Sequence, residues 1–138
     1  MSRSTPIPDD AESIHREYVL DVHIVERPTP DGTMYRFEAP HHGGAEFADA
    51  ETAELYADVY FDVNGFDESK VGEEGVPPAI IQAGRDTLAA YFHTQSYGDV
   101  DWIASFYGCK PERTERLIDR VRKRAAKIRE GVADRGLD

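Results

Sequence analysis

The chain has 138 residues, which is enough for one compact domain with a hydrophobic core or for two very small modules. Apolar residues make up 40% of it, which predicts a folded protein, and the single cysteine excludes an intrachain disulfide or a thiolate metal cluster within one chain. The formal net charge of −11 argues against generic coating of nucleic acid. Since there is neither a signal peptide nor an apolar run of about 18–20 residues, we expect a cytoplasmic protein without a membrane-spanning helix.

The first regular element predicted along the chain is a β-hairpin. Residues 17–26 and 34–38 alternate apolar with polar side chains, as half-buried strands do. Asp31-Gly32, between these two segments, is a typical hairpin turn. We therefore expect a hairpin over residues 17–39.

A helix is predicted after the hairpin. Residues 45–47 are compatible with a short third strand, and Asp49 can then cap a helix that runs to about Val63. Asn64-Gly65 is a strong signal for the end of that helix. Because a bare hairpin is marginally stable in water, we expect the helix to pack on it. The residues predicted to face the core by helical spacing are Ala53, Tyr56, Ala57, Tyr60 and Phe61.

The second half of the chain is predicted to be helical. Pro77-Pro78 opens a helix over about residues 79–95. Either Asp99 or Asp101 can cap the short helix that follows it. The residues predicted to form the core of this short helix are aromatic: Trp102, Phe106 and Tyr107. Tyr91 and Phe92 are expected to meet them from the preceding helix.

The short helix is followed by a turn and a long basic helix. Gly108 fits a left-handed turn, and Pro111 fits the first turn of a last helix that ends near Gly131. Residues 110–131 hold nine of the sixteen Lys and Arg residues and four acids, a net charge of +5 in a chain whose total is −11. A short helix, a turn and a basic helix are typical of a nucleic-acid reader.

The predicted fold class is therefore α+β, with an N-terminal β-hairpin plus helix and a C-terminal three-helix unit. The predicted organisation is a disordered tail over residues 1–14, a hairpin–helix module over 15–66, an acidic loop over 67–76 and a helical module over 77–138. Whether the acidic loop separates two modules or decorates one core stays open.

The segment from Ile103 to Leu117 resembles the helix-turn-helix pattern of bacterial and archaeal DNA-binding proteins, and the likeness extends over about residues 99–122. Thr114 stands where that pattern has Val or Ile, and Lys110 replaces the usual Ser or Thr cap. The residues that would form the core of the motif are Ile103, Ala104, Gly108, Cys109 and Leu117. The resemblance implies DNA contacts from the start and the exposed side of the last helix, by Lys110, Glu112, Arg113, Arg116, Arg120, Lys123 and Lys127.

The same helix supports two other interpretations. A 4-3-4-3-4 spacing, typical of a dimerisation seam, is shared by Thr114, Ile118, Val121, Ala125, Ile128 and Val132. An amphipathic helix folded onto its own core has the same pattern. The favoured function is a non-enzymatic, transcription-regulatory DNA-binding protein that acts as a homodimer. The alternative is a protein–protein adaptor, such as an antitoxin-like or viral accessory protein, that docks the same helix on an acidic partner.

The histidines and the cysteine do not predict a metal site, a catalytic site or a cofactor. His41-His42 could ligate a metal with His23 or Glu38, but adjacent residues rarely chelate one ion, so an exposed loop is favoured. Cys109 is predicted to be a packed thiol, because no third group or oxyanion motif accompanies it. The usual nucleotide-binding and hydrolase motifs do not occur in the sequence.

The charge composition is typical of proteins from salt-accumulating organisms. The chain has 27 acids, and only four of its cations are lysines. As a whole it resembles the small, acidic, uncharacterised proteins of haloarchaea, a resemblance that implies no activity; an ordinary acidic bacterial or viral protein is the alternative. In molar salt the Debye length is about 3 Å, so distant acids would be screened and DNA binding would depend on direct, closely fitted contacts.

Overall fold

The computed structural model describes residues 12–66 and 76–136, which form an α+β fold. The N-terminal part is a four-stranded antiparallel sheet in the order β1-β2-β3-β4. Neighbouring strands in the chain are neighbours in the sheet, so the topology is a simple meander. The strands are β1 (Ser13–Glu17), β2 (His23–Thr29), β3 (Gly32–Glu38) and β4 (Ala45–Phe47).

The sheet contains one strand, β1, in addition to the predicted hairpin and the possible third strand, because the segment predicted as a single strand over residues 17–26 turns near its start. Leu20 and Asp21 have φ angles of 61° and 59°, and the Tyr18 N–H donates to the Val22 carbonyl at 2.8 Å across the turn. The positive φ angles end the extended backbone between β1 and β2. β1 begins at Ser13, inside the segment predicted to be a tail, and residues 1–11 lie outside the described residues.

The predicted Asp-Gly hairpin is confirmed between β2 and β3. Thr29 pairs with Gly32, whose φ of 130° suits glycine. Farther along the ladder Ile24 pairs with Phe37, and both side chains are fully buried. β4, the third strand that the sequence left open, pairs with β3.

The helix after the sheet, α1 (Ala50–Asp62), is the predicted one. The Asp49 carboxylate caps it by accepting the Thr52 N–H at 2.8 Å. Four of the five residues predicted to face the core are buried, and Tyr60 is partly buried against the same core. This helix covers β3 and β4, so it joins the sheet to the helical half.

Four helices follow: α2 (Pro78–Ala83), α3 (Arg85–His93), α4 (Val100–Tyr107) and α5 (Pro111–Asp134). The predicted helix over residues 79–95 is two helices, because Gly84 has a φ of 128° and interrupts it. Asp99 is the cap of α4, and its carboxylate accepts the Trp102 N–H at 2.7 Å. The last helix continues to Asp134, three residues beyond its predicted end.

One hydrophobic core runs through both predicted modules. It combines the inner face of the sheet with α1, α3, α4 and α5, and α1 packs directly against α3 and α5. Most of the predicted acidic loop, residues 67–75, lies outside the described residues, but the elements on its two sides share this core. Throughout the described part of the chain, no helix combines the length and the apolar character needed to cross a bilayer.

Candidate nucleic-acid interface

The turn between α4 and α5 has the left-handed geometry predicted for Gly108. Gly108 has φ 69° and ψ 37°. The Cys109 N–H donates to the Ala104 carbonyl at 2.9 Å and the Gly108 N–H donates to the Ser105 carbonyl at 3.2 Å, so two of the last carbonyls of α4 are satisfied. A short helix, a tight turn and the long helix therefore follow one another as the sequence predicted.

The residues predicted to form the core of the helix-turn-helix segment divide into three groups. Ile103, Ala104 and Leu117 are buried between α4 and α5. Gly108 is exposed at the turn. Cys109 is half-buried, and its Sγ lies 3.6 Å from the Oγ1 of Thr114, which is completely buried. The Thr114 hydroxyl, which stands where the helix-turn-helix pattern has Val or Ile, thus has a hydrogen-bond partner in the Cys109 thiol.

The start of α5 depends on the backbone and not on a capping side chain. Lys110 precedes the helix in an extended conformation, and its side chain makes no cap hydrogen bond. Its carbonyl accepts the Arg113 N–H at 3.0 Å and the Thr114 N–H at 3.3 Å. Pro111 occupies the first position, where its missing N–H costs nothing. The Lys110 side chain is left exposed.

The apolar stripe of α5 is packed within the chain. Thr114, Ile118, Val121 and Ala125 are each at most 2% exposed, covered by α1, α3 and α4, while Ile128 and Val132 near the end of the helix are half-buried. The 4-3-4-3-4 pattern therefore describes the intrachain core and not a seam between two copies.

The solvent side of α5 carries a continuous row of cations, which we call the basic row. Its members follow a 3-4-3-4 spacing and are all exposed: Arg113, Arg116, Arg120, Lys123 and Lys127. At 3.6 residues per turn this spacing keeps them on one face, opposite the buried stripe. The row spans fifteen residues of helix, and its first and last members are about 21 Å apart at a rise of 1.5 Å per residue.

Two other arginines of α5 form ion pairs with acids of other helices. Arg124 donates to the Asp62 carboxylate and to the Asp86 carboxylate, the latter at 3.0 Å. Arg129 donates to the Asp58 carboxylate at 2.8 Å. Burial raises the pKa of Asp58 above its usual range, although the hydrogen bond from Arg129 acts to lower it. By contrast, among the described residues only one member of the basic row, Lys123, has an acidic partner, Asp119 at 3.0 Å.

An acidic flank runs beside the first half of the basic row. Glu112, Glu115 and Asp119 follow a 3-4 spacing along α5, and together with Arg116, Arg122 and His93 they line an open groove. Glu112, predicted to contact DNA, is exposed in the first turn but belongs to this flank. The chain thus has a cationic row with an acidic border on one side.

Two of the three aromatic residues of α4, Trp102 and Phe106, contradict the prediction that they form its core, whereas Tyr107 packs against the core. Trp102 is 38% exposed and Phe106 is 57% exposed, and Tyr97 beside them is 47% exposed. Tyr107 is half-buried; it packs on the Arg85 side chain and its hydroxyl donates to the Arg85 carbonyl at 2.9 Å. Six of the eight positions of α4 are apolar or aromatic, so the sequence alone did not indicate which of them would be buried.

The histidine pair is arranged differently from the predicted exposed loop. His41 is exposed, but His42 lies among the rings of Phe37, Tyr56, Tyr60 and Phe66, where its Nδ1 accepts the Gly44 N–H at 2.9 Å. His23 is engaged with Glu38 at 2.7 Å. Within residues 12–66 and 76–136, no group of three or more His, Cys, Asp or Glu side chains is placed to hold a metal ion.

A comparison of the chain with known protein families, with curated proteins and with solved structures finds no match.

Proposed function

We propose that the protein is a non-enzymatic DNA-binding protein of the cytoplasm, acting in transcription regulation as a homodimer, and that the basic row of α5 is its contact with DNA. The observation that carries this proposal is the division of the α5 arginines into two sets. Arg124 and Arg129 are held by acids of α1 and α3, whereas Arg113, Arg116 and Arg120 point to solvent.

The geometry of the row suits a polyanion. DNA presents one negative charge per about 1.7 Å of its axis, so a cationic row about 21 Å long faces many phosphates at once. The opposite side of α5 is packed on the core, and this keeps the row straight and its members in register. The acidic flank repels phosphates on one side and so favours one orientation of the helix on the duplex.

The position of each member of the basic row along α5 determines which part of the DNA it contacts. Arg113 and Arg116 lie in the first turns after the Gly108 turn, where helix-turn-helix proteins reach base edges. Lys123 and Lys127 lie farther along and contact the sugar–phosphate backbone. Arg113→Ala should therefore cost about 1–3 kcal/mol at a preferred site and relax the sequence preference.

The test compares two double variants with the same change in net charge. Arg116→Gln/Arg120→Gln removes two members of the row, and Arg122→Gln/Arg135→Gln removes two exposed arginines outside it. Binding to a labelled duplex, measured by fluorescence anisotropy, should weaken about tenfold or more in the first variant and much less in the second.

Equal losses in the two double variants would mean that only net charge matters and would overturn the assignment of the row. If the wild-type protein binds no duplex at all, the alternative is favoured, an adaptor that docks the same helix on an acidic protein. Duplexes selected from a random pool then show whether the wild-type protein prefers a sequence.

A further inference from the structure

Three aromatic side chains, two on α4 and one in the turn before it, form an exposed surface. We call Tyr97, Trp102 and Phe106 the aromatic patch. The Trp102 and Phe106 rings are 5.5 Å apart and nearly parallel, with an angle of 13° between them. Tyr97 meets the Trp102 ring edge-on at 4.9 Å. Three large rings in contact form a continuous apolar surface, unlike the scattered apolar side chains of an ordinary protein surface.

The aromatic patch packs on a buried ring and lies on a helix whose two ends are fixed. Phe92 of α3, which is only 7% exposed, lies 5.2 Å from the Trp102 ring and 5.2 Å from the Phe106 ring. The Asp99 cap fixes the start of α4, and the Gly108 turn fixes its end. Since the rings are already ordered, a partner that covers them does not have to immobilise them, which lowers the entropic cost of binding.

The size of the patch suits the centre of a small interface. An aromatic side chain can bury roughly 150–250 Å², so the exposed fractions of the three rings correspond to about 300 Å² per copy. A standard protein–protein interface buries about 800 Å² per partner. The rings therefore supply an apolar centre, and the polar residues around them must supply the rim.

The charges at the two ends of α4 indicate what covers the patch. Asp99 and Asp101 are exposed at the N-terminal end of the helix, and Lys110 is exposed just beyond its C-terminal end. If a second α4 lies antiparallel across the first, the acids of each copy face the lysine of the other. Such a surface is complementary to itself about a two-fold axis.

We propose that the aromatic patch is the interface of a homodimer in which α4 packs antiparallel on α4 of a second copy. Ser105, small and exposed, follows Trp102 by three residues and lets the two helices approach. The antiparallel arrangement also opposes the two helix dipoles. Because each copy carries −11, the dimer is weak at low salt and is strengthened when salt screens the repulsion between the copies. DNA binding has the opposite salt dependence, so the two activities are distinguishable.

The first measurement uses Trp102, which is the only tryptophan of the chain. Sedimentation at 1 M KCl should show a monomer–dimer equilibrium in the micromolar range. Tryptophan emission should shift to shorter wavelength over the same concentration range, because the second copy covers the indole. A chain that stays monomeric, or a dimer whose formation leaves the emission unchanged, overturns the proposal.

The second measurement is a charge exchange. Asp101→Lys alone places two lysines opposite each other and should weaken the dimer at least severalfold, and Lys110→Glu alone should do the same with two acids. The double variant should regain most of the lost affinity. Asp31→Lys, an equal charge change in the exposed β2–β3 turn, is the matched control.

Phe106→Ser removes the most exposed ring and should give a folded monomer by circular dichroism and sedimentation. A dimer that survives both Phe106→Ser and Asp101→Lys contradicts the proposed interface, as does a double charge variant that stays dissociated. All of these measurements are made without DNA, so their outcome is independent of the proposed DNA contact.

Discussion

Gly98 lies where the chain turns back after α3, and the backbone there leaves no space for a side chain. A Cβ atom at this position would lie 1.7 Å from the Phe92 carbonyl oxygen and 2.4 Å from its carbonyl carbon. These are backbone atoms at the end of a helix, so they cannot rotate away. The Gly98 carbonyl also accepts a hydrogen bond from the His93 ring at 2.8 Å, which ties the turn to the end of α3.

Gly98→Ala should therefore lower the free energy of unfolding by more than about 2 kcal/mol, because the turn or the end of α3 must shift. Gly108→Ala meets no atom within 4 Å and should cost only about 1–2 kcal/mol for its positive φ. Gly43→Ala, in open space, should change stability by less than about 0.5 kcal/mol. Urea unfolding measures all three, and equal midpoints for Gly98→Ala and Gly43→Ala would refute this description of the turn.

Arg124 joins three helices through one guanidinium group. It is 44% exposed, but the Asp62 side chain that it pairs with is only 2% exposed. The Thr87 hydroxyl donates to the same Asp62 carboxylate, and Asp86 accepts from the other side of the guanidinium. Removing the arginine therefore leaves a buried carboxylate without its cation.

Arg124→Met should lower the free energy of unfolding by about 1–3 kcal/mol at pH 7, less than for a fully buried pair because the guanidinium is partly exposed. Arg120→Met, exposed and without an acidic partner among the described residues, should change it by less than about 0.5 kcal/mol. Equal effects of the two changes would argue that the contacts of Arg124 do not stabilise the fold.

The effect of Arg124→Met should also depend on pH. Burial raises the pKa of Asp86, but hydrogen bonds from Arg124 and from the Thr87 N–H outweigh burial and hold that pKa below its usual range. A carboxylate with a lowered pKa in the folded state stabilises the fold above its unfolded pKa of about 4, and this contribution is lost as the pH falls through the folded value. The difference in stability between wild type and Arg124→Met should therefore shrink as the pH falls below about 4.

The long helix α5 has one buried apolar face and one exposed basic face. Val121 is completely buried, and the basic row lies on the opposite side. Val121→Glu should destabilise the fold by about 3–5 kcal/mol, because it places an unpaired charge in the core. Ala126→Glu, on the exposed side of the same helix, is the control and should have little effect. If Val121→Glu instead converts a dimer into a stable monomer, the stripe is a seam between copies.

The sequence predicted those elements that have strong local signals. The Asp49 and Asp99 caps, the Asp31-Gly32 turn and the left-handed Gly108 each depend on chemistry within a few residues, and each is confirmed. By contrast, the turn through Leu20 and Asp21 was missed, because leucine rarely adopts a positive φ and the alternation of apolar residues continues through it.

The candidate site could be predicted only in part, because several of its features depend on residues that are distant in sequence. Its cations could be counted from the sequence, but their division into an exposed row and ion pairs with other helices depends on Asp58, Asp62 and Asp86, which are distant in sequence. The exposure of Trp102 and Phe106 depends on which side of α4 the other helices cover. Such tertiary choices are not encoded in the periodicity of one helix.

The fold concentrates the cations of the protein on one helix. Nine of the sixteen cations lie in the α5 region of a chain that carries −11. Because acids dominate the rest of the chain, a polyanion approaching in any other orientation is repelled. Contacts with DNA should therefore come from the basic row and from few other residues.

The most direct test is the salt dependence of DNA binding, at KCl concentrations in which circular dichroism shows the protein folded. If each of the five cations of the basic row displaces one counterion, including the two arginines that reach base edges, the logarithm of the binding constant falls with a slope of about −4.5 against that of the salt concentration. Lys127→Gln should make the slope less steep by about 1, and Arg122→Gln, on the same helix but outside the row, should leave it unchanged. A wild-type slope near zero, or one that Lys127→Gln does not alter, would contradict the claim that this row holds DNA.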